Sequence, residues 1–158
     1  MKKILAVLMV IALALGSAAL AMEESAAQPA PDPDRYSGVW ECDRALAEIN
    51  WEEEGYRVLI TWGSSAWECT TWEYSCHYNE ESGTMLSVPF GSRTEWVYDD
   101  NGEVTSAKTV YDDGVAAFSL DEEGNLIWED QKENAGEGMN FIRVSDYIPD
   151  PAEKDAQG

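Results

Sequence analysis

The sequence predicts an all-β domain: an antiparallel up-and-down meander of eight to ten strands, closed or nearly closed into a barrel. Two observations carry this. Residues 56–78 place aromatic and β-branched side chains at every second position, which is the period of a strand and not of a helix. That run holds three of the seven tryptophans and three of the seven tyrosines. The second observation is a series of turn signals: Glu54-Gly55, Ser82-Gly83, Asn101-Gly102, Asp113-Gly114, Glu123-Gly124 and the Gly136/Gly138 pair. Glycine supplies the positive φ that tight hairpins need. Many short alternating pieces between such turns argue a meander, and closure into a barrel removes its exposed edges.

The elements follow in order. Gly38-Val39-Trp40 opens the first strand. Residues 43–54 are ambiguous. Ala, Leu and Glu favour helix and Asp43 could cap it, yet Ala45, Ala47, Ile49 and Trp51 also fit period two, and strand is the reading adopted. Tyr56, Val58, Ile60 and Trp62 share one face of the next strand. Trp72, Tyr74, Cys76 and Tyr78 share a face of the one after. Thr94, Trp96 and Tyr98 follow, then residues 104–111. After these come Ala116, Phe118 and Leu120, then Leu126 and Trp128, then residues 139–144. Trp40, Trp72, Trp96 and Trp128 sit on clean alternating faces and are read as core fillers.

The flanks differ in composition. Met1-Lys2-Lys3, an apolar run over residues 4–15 and small residues up to an A-x-A site at Ala19–Ala21 form a secretory signal over residues 1–21. The apolar core is short of the roughly 20 residues that span a bilayer, so membrane contact is expected only before cleavage. The mature chain is expected to begin at Met22 and to be secreted or extracytoplasmic in a bacterium. Residues 22–34, rich in Pro, Ala and acid, read as a flexible linker, and residues 145–158 as a disordered tail. Residues 35–144 form the single barrel domain.

Formal charge is −21. Loss of Lys2 and Lys3 with the signal segment makes it more negative still. Such a field repels phosphate backbones and anionic lipid, so nucleic acid is excluded as a partner. A cationic partner, a divalent ion or an uncharged sugar or lipid remains open.

Three cysteines, Cys42, Cys69 and Cys76, make a disulfide plausible in an exported chain and leave one thiol over. Along one continuous strand Cys69 and Cys76 would lie roughly 23 Å apart, beyond bridging range, so any bridge should use Cys42. Shared parity with Trp40 and Tyr74 favours Cys42 with Cys76. Simple strand order favours Cys69 instead, and the parity argument is preferred. No C-x-x-C exists, and neither a metal site nor a cofactor is predicted.

No catalytic assembly emerges. The sole histidine, His77, neighbours Cys76, but adjacent strand residues point to opposite faces. No G-x-S-x-G, P-loop or G-x-G-x-x-G occurs. Asp99–Glu103 and Asp121–Asn125 read as acidic hairpin turns, not calcium loops. The expected function is therefore non-catalytic binding of a small apolar or sugar ligand. The alternative is an interaction or inhibitor module with an acidic surface. Trp62 and Trp67, flanking the Gly63–Ala66 turn, are the candidate ligand-binding residues, because loop-end aromatics tend to face ligands.

Gly38-Val39-Trp40 at the start and Phe141-Ile142-Arg143 at the end resemble the calycin group, lipocalins and their relatives. Those proteins carry G-x-W on the first strand and a late Arg packed over that Trp. The resemblance implies a lipocalin-like barrel in which Gly38, Trp40 and Arg143 are structural, at the closed end. The blocks at residues 60–66, 72–76 and 135–141 also resemble uncharacterised small exported bacterial β-proteins, a likeness that brings no activity with it.

Overall fold

The computed structural model describes residues 35–52 and 55–146. The predicted signal segment, the linker and the chain after Asp146 lie outside the described residues. Ten strands follow one another: β1 Gly38–Cys42, β2 Ala45–Glu52, β3 Gly55–Gly63, β4 Glu68–Asn79, β5 Thr84–Ser87, β6 Gly91–Tyr98, β7 Val104–Gly114, β8 Ala116–Leu120, β9 Leu126–Asp130 and β10 Asn140–Ser145. All pairings are antiparallel. The sheet order β3-β2-β1-β10-β9-β8-β5-β4 is closed by pairing of β3 with β4, giving an eight-stranded barrel. The ambiguous segment is strand. Ala45, Ala47 and Ile49 of β2 are buried, and β2 pairs with both β1 and β3.

Eight strands leave an interior just wide enough for side chains to fill. Trp40, Ala47, Ile49, Tyr56, Val58, Ile60, Trp72, Tyr74, Met85, Phe118, Leu126, Trp128 and Phe141 fill it. Each fully buried large apolar side chain contributes about 2 kcal/mol relative to exposure. Edge-to-face contacts between Trp72 and Trp128 (5.2 Å) and between Tyr74 and Phe118 (5.8 Å) lock the rings together.

One end of the barrel is sealed. Tyr36, just before β1, is wholly buried, and its hydroxyl donates to the Gly83 carbonyl at 2.6 Å. Its ring packs against Tyr56 and Tyr78. Trp40 donates its indole N–H to the Tyr36 carbonyl at 3.0 Å. Arg143 lies over the Trp40 ring, 5.4 Å from its centroid, and donates to the Ser37 carbonyl. Adding a Cβ to Gly38, at φ +136°, would strike the Ser145 carbonyl at 2.4 Å, so this end needs glycine there.

Two strands leave the ring. β6 pairs with β4 over Glu68–Glu73, and β7 pairs with β6 alone. Together they form a two-stranded wing beyond the open end. The chain departs at Val88-Pro89-Phe90, where Phe90 takes a φ of +95° and stands 82% exposed. Trp96 belongs to this wing and not to the barrel core. Its indole donates to Thr71 Oγ1 at 2.9 Å.

The predicted Cys42–Cys76 bridge is absent, and all three cysteines are free thiols. Register is the reason. Cys42 lies opposite Ala45, Ala45 opposite Trp62, and Trp62 opposite Thr70, so Cys42 sits at the open rim. Cys76 lies opposite Tyr56, which lies opposite Trp51 near the sealed end. From Thr70 to Cys76, β4 rises about 20 Å. The parity argument identified the shared inward face and missed the height along the barrel. Cys69 shares the rim with Cys42 but takes the opposite parity to Thr70, and its Sγ meets Tyr98 Oη at 3.5 Å.

Candidate functional site

The open end gathers a second set of polar groups on β4, β6 and β7. Alternation brings Thr70 and Trp72 of β4 to the inner face, and direct pairing puts Glu95 and Arg93 of β6 beside them. Tyr111 of β7 lies opposite Arg93, and Lys108 opposite Glu95. These groups continue the barrel's inner surface out along the wing. Between the wing and the β3–β4 turn lies a groove of about 300 Å³, lined by Ser64, Glu68, Cys69, Thr70, Arg93, Glu95, Trp96 and Val97. Glu68, Glu95, Thr70 and Ser64 give it a polar rim.

Arg93 is the central side chain. Its guanidinium stands over the Trp72 ring at 5.7 Å. One nitrogen donates to both carboxylate oxygens of Glu133, at 3.1 and 3.2 Å, and the other to Glu95 at 2.9 Å. Arg93 thereby ties the wing to the β9–β10 loop across the mouth. Its Nε is buried and makes no hydrogen bond.

The loop itself is built on Asp130, a buried acid at the end of β9. Its carboxylate accepts the backbone N–H groups of Lys132, Glu133 and Ala135 at 3.1 to 3.2 Å, and its carbonyl accepts that of Asn134. Those bonds compensate burial of a charge that would otherwise be costly. Gly136 lies so close to the Trp128 backbone that a Cβ would approach its carbonyl to 2.1 Å. Outside the loop runs a second cleft of about 490 Å³, lined in part by Glu129, Asp130, Asn134 and Glu137. Lys132 crosses the Tyr111 ring at 5.0 Å and pairs with Asp113.

Beneath Arg93, the indole nitrogens of Trp72 and Trp128 and the hydroxyls of Tyr74 and Tyr111 are sealed from solvent, and no pair among them reaches full hydrogen-bond geometry. They interact weakly with one another: the Trp128 indole points its N–H to the Tyr74 oxygen, and Tyr74 and the Trp72 indole point theirs to the Tyr111 oxygen. Burial, then the negative charge of Asp130, pushes both phenols above their ordinary range. An unsatisfied buried group costs about 1–3 kcal/mol. The exposed ion pairs that hold Arg93 in place contribute about 0–1 kcal/mol each.

The candidates from sequence fall unevenly on this site. Trp62 is half-buried and packs against the core at the rim. Trp67 is 47% exposed on the β3–β4 turn, where its carbonyl accepts the Tyr98 N–H. Neither lines the groove, although Ser64 between them does. Arg93, Tyr111 and Asp130 escaped the sequence reading. The pairing of Arg93 with Trp72 depends on a register that no local pattern specifies. Asp130 carried one usable signal, an Asp ahead of a Gly-rich turn.

The two acidic turns are tied by their own side chains. Asp99 accepts the N–H groups of Asn101 and Glu103, and Asp121 those of Glu123 and Asn125. Among the described residues no cluster of His, Cys, Asp and Glu could hold a metal ion.

Comparison with protein-family models, curated proteins and solved structures finds no match.

Proposed function

We propose that this protein is an exported, non-catalytic binding protein that takes a small polar, sugar-like ligand in the groove at the open end of the barrel. One observation carries the reading: Trp96 and Arg93 line the groove, Glu68, Glu95, Thr70 and Ser64 rim it, and Arg93 lies over the buried Trp72 ring. Aromatic faces with a few placed polar groups suit a neutral hydroxylated molecule. The aromatic filling of the barrel argues against an apolar guest in its centre. Kinship with the calycin group belongs to the same proposal, supported by Gly38, Trp40 and Arg143.

Native mass spectrometry of protein recovered from its own secretion medium tests this. The expected result is a co-purifying small polar molecule, lost from a Thr70→Trp variant that fills the groove. An empty protein that also ignores a panel of neutral sugars in calorimetry overturns it.

A second reading has its own support. β7 pairs with β6 alone and is exposed on both faces from Val104 to Val110. An unpaired edge is a template for strand addition. With the chain's charge at −21, an extended segment of a cationic protein would be the fitting partner. Salt-sensitive capture of a basic protein, lost when Val110 is replaced by Pro, supports this reading over the first.

A further inference from the structure

Resting on the groove reading above, we propose that Trp72, Tyr74, Tyr111 and Trp128 form an inner subsite for the oxygen acceptors of a neutral hydroxylated or amide-bearing ligand, and that Arg93 is the side chain that covers it. Three of the four are almost wholly buried: Trp72 is 5% exposed, Tyr74 1% and Trp128 1%. Their polar atoms, with those of Tyr111 and Arg93 Nε, fall short of full hydrogen-bond geometry.

Donors outnumber acceptors in this cluster. Two indoles and a guanidinium N–H donate only, and the phenols bring a hydrogen with each oxygen. With the Trp128 indole turned to Tyr74, and the Trp72 indole and Tyr74 turned to Tyr111, the Tyr111 hydrogen and Arg93 Nε still lack an acceptor. The set is completed by an oxygen from outside. That oxygen belongs to a neutral molecule, because the nearby cations Arg93 and Lys132 are already paired with Glu95, Glu133 and Asp113, and the Asp130 charge still acts on both phenols.

Arg93 is placed to open. It is 21% exposed, and both its carboxylate partners, Glu95 and Glu133, reach solvent. Its rotation would uncover the Trp72 ring on which it stands. Gly91 and Gly114 leave the room in which the two phenols sit. A Cβ on Gly91 would meet the Tyr74 ring at 2.3 Å, and one on Gly114 the Tyr111 ring at 2.8 Å.

The test is two-dimensional NMR of the full chain labelled with ¹⁵N, titrated separately with N-acetylglucosamine, glycerol and sodium chloride. The expected result is a saturable shift of the Trp72 and Trp128 indole signals with a neutral probe, together with the Thr70 and Glu95 amides. Tyr111→Phe keeps the ring and should weaken that binding at least threefold. Arg93→Ala should speed exchange of the two indole hydrogens with water at least tenfold. If the Thr70 and Glu95 amides respond while both indoles stay silent, the groove reading stands and the inner subsite is overturned. If neither set responds to a neutral probe, both fall. Indole shifts with chloride alone overturn the neutral class of ligand. Unchanged indole exchange in Arg93→Ala overturns Arg93 as the cover.

Discussion

Arg143 sits opposite Trp40 in the β1–β10 ladder and lies over its indole, 5.4 Å from the ring centroid. The pair joins the first barrel strand to the last and, through the Ser37 carbonyl, fixes the chain's entry into the barrel. Arg143→Ala should lower stability by about 1–2 kcal/mol, the range of a partly desolvated cation–π contact with a lost charged hydrogen bond. Arg143→Lys should recover part of that loss. Urea unfolding of both variants measures it; an unchanged midpoint for Arg143→Ala would show that the closure needs no such clasp.

Tyr36 seals the same end from inside. Removing only its hydroxyl, in Tyr36→Phe, strips the 2.6 Å bond to Gly83 and should cost about 1 kcal/mol. Tyr36→Ala also empties a fully buried ring site and should cost about 3–5 kcal/mol. Equal losses in the two variants would contradict the ring's role as a plug.

Cys76 is a buried thiol whose pKa burial pushes up from 9.0 to about 12. The neutral form is the one the fold accommodates. Its contribution is fully present below pH 9 and is lost as pH rises from 9 through about 12. At pH 10.5 the linked loss is about 2 kcal/mol, at 1.36 kcal/mol per pKa unit. Cys76→Ala should therefore show a shallower alkaline decline than the parent. In the native protein at pH 8, iodoacetamide should modify Cys42 and Cys69 and spare Cys76, which is 2% exposed. Mapping of unreduced peptides that found Cys76 in a disulfide would refute the free-thiol structure.

Asp130 holds the β9–β10 loop by three backbone N–H groups. Asp130→Ala should cost about 3 kcal/mol or more, since it leaves several donors without their charged acceptor. Amide exchange in Lys132, Glu133 and Ala135 should rise before the rest of the barrel. Asp130→Asn keeps one acceptor oxygen and should fall between.

Gly91 packs its backbone against the Tyr74 ring. Gly91→Ala should destabilise by more than about 2 kcal/mol, because the added methyl meets a fixed ring and the adjacent strand. A Tm within a degree of the parent would show that the wing shifts freely on the barrel.

Strand identity was readable because burial of one face imposes period two on the residues. Ala45, Ala47 and Ile49 show that rule holding even where Ala, Leu and Glu argue helix. It failed at Trp96, whose alternation is genuine but whose sheet is the open wing, with its ring tied to Thr71. It also failed for the cysteines, since parity specifies a face and says nothing of height. Trp62 and Trp67 flank a turn at the right end of the barrel, yet the groove is lined by Ser64 and by residues of β4 and β6.

The amino-acid sequence by itself determined an all-β chain of short antiparallel strands with an aromatic interior, because alternation and Gly-rich turns are local properties. Only the tertiary structure decided that β6 and β7 leave the ring, that Arg93 meets Trp72, and that four polar heads converge beneath it. Those relations depend on interstrand register, which is set by the packing of the whole barrel and not by any one segment.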